Sequence, residues 1–424
     1  MSAVSPAIRK IVGRFRAAKR AGITLASTSG GDYAGRQLPI NGRTLTSYAS
    51  CSYLGLELDP RMKAAAIRAI ESAGTYFSTS RTYLQMGEYE ELEAQFGKVF
   101  GAPCLVSAST TLGHLAVMPA LMSGRDAIVV DYQGHNSLQD ATLLLKGKGA
   151  HREIVPHNDV TALRERLTKL CALYPKVWYV FDGVYSIYGD YAPFSEIREL
   201  LEEFPNLYLY CDDAHGMGWA GQHGRGRAYE MLGPHERLVF ITSLAKSAAC
   251  GGGVIVLPDE ETKMVVRVTG KTLVFSGPIT PSQLGAGLEC TRILLSDELP
   301  AMQRDLSDIC ARFVAQSAAF GLNLIDHSDT PIFYVGIGDY PSLFTVAQRL
   351  RDEFGIFVTP TGYPAVPFNR CGLRITLTLA HTLEDIDHLV RSIATVYHDS
   401  LEENGISRDD MAERFAGGVA AAVA

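Results

Sequence analysis

Six short apolar runs recur through the middle of the chain, each closing in polar or small residues before a helical pattern begins. They are CLVS (Cys104 to Ser107), AIVVDY (Ala127 to Tyr132), VWYVFD (Val177 to Asp182), LYLYCDD (Leu207 to Asp213), LVFITS (Leu238 to Ser243) and GVIVLP (Gly253 to Pro258). Between them lie stretches such as ALRERLTKLCALY and FSEIRELLEEF, whose apolar residues fall three and four apart. Strand, turn and helix in this alternation predict an α/β fold. Runs that are apolar throughout, rather than at every second position, predict strands covered on both faces and a mostly parallel sheet flanked by helices.

In an open parallel sheet, ligands bind beyond the carboxyl ends of the strands, so the residues that close each run form a set. The first run leads into Ser109, Thr110 and Thr111, the second into His135 and the third into Ser186. The fourth leads into Asp212, Asp213 and His215, and the fifth into Ser243 and Lys246. Hydroxyls, two histidines, a carboxylate and a lysine thus converge on one crevice. Taken singly, each has a plain structural explanation: a surface lysine, satisfied core histidines, an Asp that caps a helix. Their joint order at successive strand ends argues for chemistry instead. A lysine among apolar and glycine residues is costly unless its amine is paired or used, for example in a Schiff base. An enzyme of pyridoxal phosphate needs such an amine, an anion for the pyridine nitrogen, a flat group against the ring and a phosphate cup. Lys246 offers the amine, Asp212 the anion, and the turn at Ser109 to Thr111 the cup.

The 424 residues carry a net charge of −7, which gives no basic surface for nucleic acid. The N-terminal cations Arg9, Lys10, Arg14, Arg16, Lys19 and Arg20 precede no apolar stretch of signal-peptide length, and none elsewhere reaches membrane-spanning length. The expected location is the cytoplasm. Eight cysteines, without C-x-x-C pairs or close histidines, read as free core thiols and give no metal site. Gly251 to Gly253 and GQHGRG read as turns. Past about residue 290 the pattern becomes a smaller α+β arrangement with a few antiparallel strands. The expected division is an N-terminal segment (1–50), a large cofactor-binding α/β domain (51–290), a small C-terminal domain (291–400) and a loose tail (401–424).

The ordered series SYLGLELDP, GHNS, HND, DGVYSIYGDYAPF, DDAHGMGWAGQHGRG, SLAKS and LRITLTLAHTLEDID resembles the α-oxoamine synthases over roughly Ile40 to Tyr397. These are pyridoxal-phosphate enzymes of the aspartate-aminotransferase fold, fold type I. The resemblance implies that the chain is an acyltransferase. It would condense an amino acid with an acyl thioester, carried by CoA or a carrier protein, with loss of carbon dioxide to give an α-amino ketone. It implies Lys246 as the lysine that carries the cofactor and moves the Cα proton, and Asp212 as partner of the pyridine nitrogen. His135 would lie against the ring and His215 would bond the phenolic oxygen, with Ser186 close by. Ser243, Ser109, Thr110 and Thr111 would hold phosphate, and Arg374 the substrate carboxylate. A homodimer with active sites at its interface is implied as well.

Several positions depart from the family's wording. Cys51 and Ser52 stand where an asparagine usually helps bind the substrate carboxylate. Tyr76 and Phe77 add bulk to a glycine-rich segment at the acyl site, which suggests an unusual acyl group and a secondary-metabolite or signalling pathway. Ile187 and Tyr188 replace Met-Asp. Gly277 stands where a hydroxyl usually reaches the neighbouring subunit's phosphate, leaving Ser276 or Thr280 as substitutes. An aminotransferase or an aldolase-type lyase of the same fold is the alternative activity; a non-catalytic subunit would be expected to lack Lys246.

Overall fold

The computed structural model describes residues 5–28, 30, 33–40, 42–326 and 328–416. Its strands in chain order are β1 (Gln37–Ile40), β2 (Arg43–Ser47), β3 (Cys104–Ser107), β4 (Ala127–Asp131), β5 (His151–Val155), β6 (Val177–Asp182), β7 (Leu207–Asp212), β8 (Leu238–Ser243), β9 (Gly253–Val256), β10 (Ile332–Gly338), β11 (Ile356–Phe357), β12 (Thr359–Thr361) and β13 (Cys371–Thr376). Seven of them form one sheet in the order β3-β9-β8-β7-β6-β4-β5. The contiguous strands β8, β7, β6, β4 and β5 run parallel, whereas β9 runs antiparallel to both of its neighbours.

The apolar runs have the expected cause. Leu105, Val130, Tyr210 and Ile241 point into one buried layer with Val117 and Leu138 from the helices Thr110–Leu121 and Asn136–Lys146. Their neighbours Val106, Val129, Phe181 and Phe240 point to the opposite face, into a layer with Phe100, Leu200 and Tyr229. Because successive side chains alternate faces, a strand covered on both sides is apolar at every position. β5 is the exception and was not among the recognised runs. It is an edge strand, only its last residue is buried, and so it retains polar residues.

The C-terminal part carries a three-stranded antiparallel sheet, β10-β13-β12, in which Tyr334 faces Arg374. The N-terminal segment is stitched to this part and not to the large sheet: β11 pairs in parallel with β2, and β1 pairs with β2. The N-terminal helix Pro6–Arg20, capped by Ser5, lies against the same part: Arg14 covers the rings of Tyr340 and Phe368 at 4.8 and 4.3 Å. The tail also differs from expectation. The helix Leu383–Glu403 continues past residue 400, and a further helix, Arg408–Arg414, has its own capping box from Ser407 and Asp410. Met411 and Phe415 are buried, and Phe415 lies so close to Gly336 of β10 that a Cβ there would come within 2.8 Å of the ring. Charge had masked two apolar anchors one helical turn apart. The remainder of that tail, 417–424, lies outside the described residues. No described helix is long and apolar enough to cross a membrane.

Candidate active site

The strand ends of β4, β6, β7 and β8 open onto a cavity of about 290 Å³. Ser109, Thr110, Thr111, His135, Asp212, His215, Ser243 and Lys246 line it, so the structure brings together eight residues that the sequence singled out. Ser109 caps the helix Thr110–Leu121, its hydroxyl accepting from Leu112 N–H at 3.2 Å. The amides at a helix start favour an anion, and Thr110 and Thr111, which open this helix, line the cavity. Gly251 and Gly252 also line the wall, and a Cβ on Gly253 would meet the Thr110 nitrogen at 2.8 Å. The glycines are therefore a turn that also lets the β9 backbone press against this helix start.

Asp212 forms the floor. Its Oδ1 accepts from Ala214 N–H at 3.0 Å and its Oδ2 from His114 Nε2 at 2.9 Å, while His114 Nδ1 lies 2.9 Å from the Tyr210 hydroxyl. Burial alone would neutralise the carboxyl, but His114, Lys246 and His135 outweigh it and hold Asp212 below the usual carboxylate range. Asp182, its register partner on β6, is pushed well above that range by burial and by the charge of Asp212. Two adjacent carboxyls are thus driven apart, Asp212 held low and Asp182 pushed up. Asp182 Oδ1 accepts from the His135 N–H at 3.1 Å, which fixes the turn that carries the imidazole. His135 Nδ1 accepts from Ser137, whose hydroxyl is 2.7 Å away. Burial lowers the His135 pKa, with Lys246 adding to the effect against Asp212.

His215 is buried, and burial first, then Lys246, Arg374 and His135, depress its pKa well below 6.5. Its Nδ1 lies 2.7 Å from the Tyr53 hydroxyl. The phenol and the imidazole share one proton bridge, and the buried imidazole is neutral. Arg374 donates from Nε to the Ser186 carbonyl and lies 3.6 Å from Cys51 Sγ through Nη2. The guanidinium fork assigned to a substrate carboxylate is thus held by its own chain.

Ser186 and Arg374 do not line this first cavity. They line a second one of about 730 Å³, which His215 shares. Cys51 and Ser52 line neither. Cys51 abuts Arg374, and the Ser52 hydroxyl donates to Glu57. Tyr76 and Phe77 also line neither: Phe77 packs against the core, and Tyr76 is 48% exposed with its hydroxyl beside Gly277. Thr280 Oγ1 lies 3.2 Å from Ser282 Oγ, away from both cavities.

Sequence reading missed several groups. His114 sits one turn inside a helix with no motif to mark it. Tyr53 and Asp182 lay within quoted stretches, and Asp182 carried a signal: a carboxylate closing an apolar run beside Asp212. Asp213 turns away from the cavity into a cage of Gly183, Gly216 and Gly226, where any Cβ would come within 2.2 to 2.4 Å of its carboxylate oxygens. Burial and then Asp212 push its pKa up to about 8. His157, from the HND motif, bridges Asp131 at 2.9 Å and Asp190 at 2.8 Å. It thereby ties the turn bearing His135 to the loop bearing Ser186.

A buried anion, a lysine, a flat imidazole and a hydroxyl-rich helix start around one small cavity suit pyridoxal phosphate and define a fold-type-I enzyme of that cofactor. The chain matches the family Aminotransferase class I and II over residues 48–393. It is 32% identical to an 8-amino-7-oxononanoate synthase of Thermosipho melanesiensis over 367 residues, 85% of this chain and 90% of the relative. It is 33% identical to one of Petrotoga mobilis, covering 83% and 88%. The fold superposes on a Sphingomonas wittichii serine palmitoyltransferase with a TM-score of 0.85 at 22% identity, covering 95% of this chain and 99% of that one. It superposes on a Francisella tularensis 8-amino-7-oxononanoate synthase at 0.70 and 20%, covering 85% and 99%. The chain belongs to the α-oxoamine synthase family within the class I and II aminotransferases.

Proposed function

We propose that the first cavity holds pyridoxal phosphate and that the chain joins an amino acid to an acyl thioester with loss of carbon dioxide, giving an α-amino ketone in a biosynthetic reaction. One observation carries this: Asp212 is kept ionised in a buried site, braced by His114, in the same cavity as Lys246. Bound there, the cofactor supplies a sink for the charge left on the amino-acid Cα once its proton is gone.

The chain's own groups do the rest. Lys246 anchors the cofactor and takes the Cα proton, then returns one at the end. Ser109, Thr110, Thr111 and Ser243 hold the phosphate, and His135, pinned by Ser137, supplies a ring against the cofactor. His215 is neutral and, held at Nδ1 by Tyr53, turns its ring toward oxygen where negative charge develops as the new carbon–carbon bond forms. Arg374 receives the amino-acid carboxylate by giving up its contact with Cys51 or the Ser186 carbonyl.

The large unit of about residues 51–290 then serves the cofactor, and the C-terminal unit brings Arg374. The exposed apolar side chains Tyr76, Tyr83, Leu84 and Phe275, at 48, 89, 59 and 85%, support a homodimer face. Tyr76, Phe77 and either Ser276 or Thr280 would act across that face. We place the dimer in the cytoplasm.

The test offers the purified protein glycine, L-alanine and L-serine, each with acyl-CoAs, and follows free thiol and released carbon dioxide. Both products should appear in equal amounts only when amino acid and thioester are present together. Lys246→Ala should lose at least about 10³-fold in turnover along with the visible absorbance of the bound cofactor. Thiol release that ignores the amino acid, or turnover that survives Lys246→Ala, overturns the proposal.

A further inference from the structure

The second cavity differs from the first in kind. At about 730 Å³ it is the larger, and it meets the first at His215. Beyond the shared imidazole, Ser186 and Arg374, its walls are mostly apolar, with Arg14, Asn136 and the hydroxyls of Thr24, Thr359 and Thr361 among them. Ile11, Phe15 and Ala18 of the N-terminal helix form one side, and Leu343 and Phe344 of the helix Tyr340–Phe354 the other. Strand β12 and the turn that follows it, as far as Ala365, close another side. Ile187, one of the departures from the family's wording, faces the same space.

The lining decides what fits. Among the described residues no carboxylate lines the cavity, so no ammonium group is matched by them. Its lining cations among the described residues are Arg374 and Arg14, and the Arg14 guanidinium covers the rings of Tyr340 and Phe368 at 4.8 and 4.3 Å. A chain of methylenes wants what the walls supply: apolar surface, and a volume in the range of pockets that enclose whole ligands. The reacting thioester carbonyl must sit beside His215, which stands at the junction. A chain leading away from that carbonyl, opposite to the cofactor, enters the second cavity directly.

We infer that the cavity beneath the N-terminal helix is the acyl chamber, that it takes a long unbranched acyl chain, and that Phe15, Phe344 and Ala365 set the length accepted. This rests on the condensation proposed above and adds the substrate class. It also moves the acyl determinants of one chain away from Tyr76 and Phe77 and onto the N-terminal helix and the 359–365 segment.

Acetyl-, hexanoyl-, decanoyl-, myristoyl- and stearoyl-CoA, each with the amino acid that supports wild-type turnover, measure kcat/KM against chain length. In the wild type kcat/KM should climb with length by up to about fourfold per added methylene until the chamber is full. Ala365→Trp lies in an exposed loop and is tolerable to the fold. It should lower kcat/KM for the longest effective chain at least tenfold and leave hexanoyl-CoA within about twofold. Phe344→Ala should shift the optimum to longer chains, and cofactor absorbance reports that both variants are folded. A length profile that neither variant moves, or a loss equal for every thioester, overturns the acyl chamber, the second outcome marking a corridor for the CoA arm. If the wild type consumes no thioester of any length, the condensation reading falls as well.

Discussion

The two cavities meet at His215 yet are built on opposite principles. The first, about 290 Å³, is enclosed by the ends of parallel strands, where backbone register places each polar group and a second set of buried side chains fixes it. His114 braces Asp212, Asp182 steadies the His135 turn, and Tyr53 orients His215. The second, about 730 Å³, lies between a docked N-terminal helix, a helix of the C-terminal part and the segment from β12 to Ala365, and most of its wall is apolar side chains placed by packing. Electrostatic chemistry needs preorganised groups, because a misplaced charge in a buried site loses its effect. Chain recognition needs only shape and apolar surface. The difference teaches where variation is cheap: the apolar chamber can be resized without disturbing the reaction, and the polar one cannot.

Perturbing the bracing of the first cavity should therefore cost every thioester alike. His114→Phe leaves the Asp212 carboxylate buried without its partner, and losing a hydrogen bond to a charged group costs about 2 kcal/mol. We expect that much loss of stability in urea denaturation and a fall in turnover of about 30-fold, independent of chain length. A chain-length-dependent fall would break the distinction between the cavities.

The His157 bridge gives a pH test of the same bracing. Burial opposes the imidazolium, but Asp131 and Asp190 raise its pKa from 6.5 to about 9. A raised folded-state pKa means the stabilisation is fully present below about pH 6.5 and is lost as pH rises through about 9. Wild type should exceed His157→Gln by up to about 3 kcal/mol at the acid end of that window, the gap closing above it. A gap constant across the window would show that His157 acts as a neutral spacer.

Tyr53→Phe should have the smallest effect. It removes the hydroxyl that holds His215 Nδ1, worth about 1 kcal/mol, or about fivefold in kcat, with the amino-acid KM little changed. Because His215 faces both cavities, the loss should again be equal across acyl chains. An equal rise in KM without change in kcat would place Tyr53 in binding and not in orienting the imidazole.

Most of the polar cavity was readable in the sequence, since strand ends in a parallel sheet are collected by the sheet's own geometry. Lys246, Asp212, His135, His215, Ser243 and the Ser109 turn needed only the order of the runs. What the sequence by itself determined was the α/β fold and the set of groups at the strand ends, because apolar runs and the residues that close them are local patterns. What only the tertiary structure decided was everything joined across long separations. Arg374 was legible as a residue, but its engagement by Cys51 and Ser186 depends on β13 lying beside segments far away in the chain. His114 reaches Asp212 across 98 positions, and the acyl chamber exists only because the N-terminal helix docks on residues more than three hundred positions later. A cavity is the space between packed elements, and no local pattern records how two distant surfaces leave a gap.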